Sequence, residues 1–147
     1  MARIRKFLSL PLSVQFLLLK TASLLALIRL GLWLLPFKAI LASRDRMLKE
    51  STDTDVTDLA VVRQTVWAVT VTSRYVPKAS CLTQALAAQI LLRQQGYPAD
   101  LRIGVCKGDA NQLEAHAWIE LDGRVVIGGE DSPSRYAAFS SLRRKGQ

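Results

Sequence analysis

The sequence predicts an α+β domain in which helices come first and a small antiparallel sheet follows. Helical periodicity dominates up to about residue 95, and apolar and polar residues alternate over 100–106 and 113–121. Asp122-Gly123 then joins the second alternating segment to a third, a strong two-residue hairpin signal. Runs of helix followed by runs of strand place the helices on one side of an antiparallel sheet.

Residues 12–35 form the first long apolar stretch, rich in leucine and closed by Pro36. Its length approaches that of a bilayer span. Lys20 and Arg29 interrupt it nine residues apart, about half a turn out of phase at roughly 100° per residue. They face opposite sides, which spoils both a clean span and a simple amphipathic helix. A signal peptide fits poorly, because the apolar stretch is too long and no small-residue cleavage site follows closely. Three placements stay open: packing on the domain, peripheral docking on a membrane or partner, and a true span.

A short basic helix is expected over residues 37–49, and the polar segment Ser51 to Thr57 reads as a linker. The next helix runs from Asp58 to Tyr75, with Leu59, Val62, Val66 and Val69 at helical spacing and Pro77 as its stop. A further helix covers 80–95, with Leu82, Leu86 and Ile90 on one stripe and Gly96 ending it. Strands follow at 100–106, 113–121 and 124–128, and the tail from Ser132 is weakly specified.

At 147 residues, half of them apolar, the chain can build one core. It divides into an apolar and basic helical region, 1–50, and a domain, 51–147. The net charge is +8 and the pI near 10.0. Arg3, Arg5 and Lys6 at one end and Arg143, Arg144 and Lys145 at the other carry much of it. No nucleic-acid motif accompanies them, so nucleic acid is not expected as a partner. Two cysteines make no disulfide framework, and a reduced cytoplasmic chain is the default. One histidine and two widely spaced cysteines make no zinc signature, and no cofactor is implied.

Cys81 and His116 carry the chemistry. Ser80 is a good N-cap, which puts Cys81 at the first helical position. There the helix dipole and free amides favour a thiolate and, later, an oxyanion. The bland alternative is a small buried apolar residue. His116, the only histidine, lies between Ala115 and Ala117, with Trp118 two residues on along the same strand face. A thiol at a helix start with an imidazole on a following strand is how a papain-like thiol hydrolase assembles nucleophile and base. Cys106 is the other thiol, but a strand interior offers neither free amides nor a dipole, so it reads as core.

A third group should fix the imidazole tautomer. With a two-residue turn at Asp122-Gly123, Leu121 pairs with Arg124 and His116 faces Gly129. Asp131 then lies diagonally on the His116 face and is the candidate acid. Glu130 points the other way, and a one-residue bulge would exchange the two. Asp122 is about 20 Å away along the strand, Glu114 is a lesser candidate, and Asp131 alone also fits a solvated turn acid.

Several segments together resemble the lasso peptide biosynthesis B2 proteins. They are Trp67-Ala68-Val69, Arg74-Tyr75-Val76-Pro77, Cys81-Leu82-Thr83-Gln84-Ala85-Leu86, Leu91-Leu92-Arg93, Leu101-Arg102-Ile103-Gly104-Val105, Ala115-His116-Ala117-Trp118-Ile119-Glu120, Gly123-Arg124-Val125-Val126-Ile127-Gly128-Gly129 and Arg135-Tyr136. The likeness covers residues 58–142, and Leu34-Leu35-Pro36-Phe37 is similar as well. The resemblance implies a transglutaminase-like, papain-related fold and a Cys–His–Asp peptidase. Such an enzyme removes the leader from a ribosomal precursor peptide, so that a partner cyclase closes an isopeptide ring. It further implies a separate leader-recognition protein, because the fused recognition domain of some relatives has no counterpart here. In many relatives an Asp follows the His by twelve positions, where this chain has Gly128. Asp131 or Glu130 substitutes, or the site is a dyad. A transglutaminase-type acyl transferase and a non-catalytic scaffold are the competing readings, and the apolar start allows peripheral membrane contact.

Overall fold

The structure, a computed structural model, describes residues 2–36, 38–40, 42–43, 58–107, 111–128 and 137–139. Its elements are α1 (Ala2–Leu8), α2 (Leu12–Leu34), α3 (Leu59–Ser73), α4 (Cys81–Gln94), β1 (Ala99–Lys107), β2 (Leu113–Leu121), β3 (Arg124–Ile127) and β4 (Ala137–Phe139). The α+β class holds, and the three longer helices start and stop within two residues of where capping and proline place them. Residues 38–40 and 42–43 are helical. The rest of the expected helix over 37–49, and the expected linker, lie outside the described residues.

Local chemistry sets the helix ends. The Asp58 carboxylate accepts from the Ala60 amide at 2.9 Å and opens α3. Leu35 is extended before Pro36, which closes α2. The Ser80 hydroxyl accepts from the Thr83 amide at 3.4 Å and opens α4.

Helix α4 is central, with residues 85–92 all buried, as in a helix enclosed on every side. Both α2 and α3 pack on it, and the sheet covers another side. Leu25 and Ile28 of α2, and Ile40, join Leu86, Leu91, Ile119 and Leu121 in one core. Of the stripe expected on α3, Val62 and Val69 are buried, but Leu59 is 56% exposed. The buried face instead includes Thr65 and Thr72. A threonine hydroxyl can donate to the carbonyl four residues back, which satisfies it inside a helix. Thr65 does so to Val61 at 3.0 Å, Thr72 to Ala68, and the buried Thr21 of α2 to Leu17 at 2.7 Å.

The sheet order is β3-β2-β1-β4, antiparallel throughout. β4 is an element that the sequence left unassigned. The hairpin turn is as expected: Asp122 and Gly123 both have positive φ, 50° and 76°, as a type I′ turn requires. Leu121 pairs with Arg124 and Glu120 with Val125, but Ile119 then pairs with Ile127. Val126 is thus an extra residue on β3, a bulge that changes the alternation beyond it.

Candidate active site

Cys81 begins α4, half-buried and free of any disulfide. The amides of Cys81 and Leu82 precede the first intrahelical bond, which the Gln84 amide makes to the Ser80 carbonyl at 3.0 Å. The Gln84 side chain also bonds the Ala79 carbonyl, at 3.4 Å, bracing the turn that delivers the thiol. Lys78 in that turn has φ 58°, an uncommon conformation for a side chain of its kind.

His116 lies on β2 opposite Gly104 of β1, a register partner without a side chain of its own. The ring stacks on Trp118, with centroids 6.1 Å apart and planes 21° from parallel. Trp118 is itself held by Glu120, which accepts from the indole at 3.0 Å and from Arg102 at 3.0 Å. Consecutive same-face positions of one strand therefore lock the imidazole in place.

Imidazole Nε2 lies 2.6 Å from the Gly128 carbonyl oxygen. A carbonyl only accepts, so Nε2 carries a hydrogen and donates it in this contact. Gly128 has φ 81°, and a Cβ there would come within 2.8 Å of the Ala117 carbonyl oxygen. The strand after the bulge thus presses its backbone against β2, and only glycine fits. A side-chain carboxylate at this position is sterically excluded, and the main-chain carbonyl occupies the place beside Nε2.

Cys81 and His116 line the same cavity, of about 340 Å³, with Gln84, Arg74, Ser73 and Gly128 among its other walls. A thiol at a helix start and an imidazole on a strand thus converge on one cavity. The chain matches the family model described as the transglutaminase-like superfamily over residues 24–144. It belongs to the transglutaminase-like superfamily. Members of this superfamily generally act as cysteine peptidases or acyl transferases. No curated protein and no solved structure matches the chain.

Of the other expected site residues, Glu130 and Asp131 lie outside the described residues. So does Gly129, the residue expected to face His116. The bulge at Val126 falls before them, in the stretch whose alternation placed Asp131 on the His116 face. Cys106 falls within β1 opposite Glu114, and its side chain is outside the description. Sequence reasoning did not single out Gln84 or Arg74. Gln84 had a signal, lying one helical turn after the thiol; Arg74 had none, since a residue just past a helix end is ordinary.

Proposed function

We propose that this transglutaminase-like protein is a cysteine peptidase that removes the leader from a lasso peptide precursor. The observation that carries the chemistry is Cys81 and His116 on one cavity, with Nε2 held by Gly128. The resemblance of residues 58–142 to the B2 leader peptidases supports the substrate class.

In the proposed reaction His116 Nδ1 takes the Cys81 thiol proton. The thiolate attacks the carbonyl carbon of the scissile amide. Charge builds on the carbonyl oxygen, and the amides opening α4 are the donors in reach to stabilise it. The intermediate collapses to a thioester as the C–N bond breaks, and His116 returns its proton to the departing amine. Water then attacks the thioester, again through His116, and releases the leader carboxylate and the free thiol. The freed amine of the core peptide goes to a separate cyclase, and a small recognition protein presents the leader. Asp131 or Glu130 adds a carboxylate to this pair, or the Gly128 carbonyl serves alone.

The test is incubation of the full-length protein with a candidate precursor and its leader-binding partner, read by mass spectrometry. Two fragments differing from the precursor by one water are expected. A product in which the acyl group is joined to an added amine would assign transglutaminase-type transfer instead. An unchanged precursor with an unreactive Cys81 would leave a scaffold.

A further inference from the structure

We infer that the outward face of α2 lies in the plane of an anionic lipid bilayer, with its axis parallel to the surface. Leu12, Phe16, Leu19, Leu27, Leu30 and Trp33 are each half or more exposed. At roughly 100° per residue they fall within one arc of about 120°. Thr21, Leu25 and Ile28, all buried, occupy the opposite side and hold α2 on α3 and α4. The helix is largely apolar on both faces: one packs in the core, and the other is exposed, with Ser23 near its centre and Gln15 at its edge as the polar exceptions. Its length and composition would also satisfy a membrane span.

The charges decide how the bare face is used. Lys20 and Arg29 sit at its two margins, about 80° to one side of the arc's centre and about 100° to the other. Half a turn apart, they spoil a span but suit a helix lying flat. Their stems run along apolar surface and their heads reach the phosphate level on either flank. A span would also require the Leu25 side to leave α3 and α4, exposing the core.

Charge complementarity selects the lipid. No Asp or Glu occurs before Asp45, whereas seven Lys and Arg do, so nearly all of the net charge of +8 belongs to this stretch. α1 adds to it, with Arg3, Arg5 and Lys6 beside Ile4 and Leu8, each of these two 65% exposed. An apolar groove of about 570 Å³ between α1, α2 and α3, reached by Trp67 and Tyr75, continues the same surface. A second copy would bring like charge against like. An apolar strip with cations only at its edges matches the depth profile of a bilayer interface better than the mixed surface of an acidic protein.

The test uses the full-length protein with vesicles of phosphatidylcholine alone or mixed with phosphatidylglycerol. Binding to the mixed vesicles at low salt is expected, falling tenfold or more on neutral vesicles or at high salt. Leu27→Glu with Leu30→Glu should abolish binding while Cys81 alkylation and the monomer mass stay unchanged, since both side chains are solvent-exposed. Lys20→Gln with Arg29→Gln should weaken binding to the mixed vesicles by about twenty-fivefold, at roughly fivefold per cation near an anionic surface. The inference fails if the protein ignores both vesicle types, or if either double variant binds as the parent does. It also fails if the face instead drives a dimer that the two glutamates dissolve, or if it binds an acidic polypeptide but no lipid. Retention in membranes through high salt and carbonate, with release only by detergent, would assign a span and overturn it. None of these outcomes bears on the peptidase reading.

Discussion

Cys81 is the residue on which turnover should depend most. Cys81→Ala is expected to lower leader cleavage by about 10³-fold or more while partner binding persists, since nucleophile loss removes the covalent route. His116→Ala should match it and also slow alkylation of Cys81 near neutral pH; an unchanged alkylation rate would show that the pair does not interact. Gly128→Ala tests the carbonyl that holds Nε2. A methyl group at φ 81°, facing the Ala117 carbonyl at 2.8 Å, should cost roughly 2 kcal/mol or more, read as a lower Tm. Residual turnover should fall as well, because the ring loses its anchor. Asp131→Asn and Glu130→Gln decide the third member. With Gly128 bonded to Nε2, we expect each to lose less than His116→Ala does. A loss of about 10³-fold in one of them would make that carboxylate the triad acid. Cys81 and His116 were legible because a helix cap and a strand alternation are local patterns. Gly128 was legible only as a departure from the pattern of the family that the sequence resembles, because its close approach to β2 depends on a bulge that no local pattern announces.

At the scale of elements, the N-cap of α4 links stability to reactivity. Ser80→Ala removes the acceptor for the Thr83 amide and should lower stability by about 1 kcal/mol. It should also loosen the turn carrying Cys81, so alkylation and thermal denaturation should change together. Gln89 is a second case. It is buried in α4, its amide nitrogen bonds the Ala99 carbonyl at 3.1 Å, and its oxygen has no partner among the described residues. Arg93 also donates to that carbonyl, at 2.9 Å. Gln89→Met therefore removes an orphaned acceptor without stranding Ala99, and Tm should hold or rise. A loss above about 2 kcal/mol would show that the amide does more than fill space. Helix limits were readable here because Asp58, Ser80, Pro36 and Gly96 act locally. The buried face of α3 was misread at Leu59, because periodicity scores Thr65 and Thr72 as polar while their hydroxyls are satisfied within the helix. β4 was unreadable, since three residues that pair only with distant β1 carry no period.

For the whole molecule, the question is whether α2 is an attachment or part of the fold. Leu25 is fully buried and shares a core with Leu86 and Leu91. Leu25→Ala should therefore cost about 3–5 kcal/mol, comparable to Leu86→Ala, measured by denaturant unfolding. A negligible loss would mark α2 as an appendage. The family match, which starts at residue 24 within α2, agrees with the shared core.

Cys81 and His116 are far apart along the chain, and this makes the cavity they share a clock for chain assembly. Cys81 opens a helix whose bonds are all local, whereas His116 waits on the pairing of β2 with β1 and β3. Local helices form faster than strand pairings between distant segments. During refolding from denaturant, circular dichroism should recover before the thiol reaches its native alkylation rate, and pulse alkylation at successive times would separate the two events. On the proposed peptidase reading, a nascent chain would then hold Cys81 silent until the sheet has docked, so partly folded copies would be unable to cleave peptides around them.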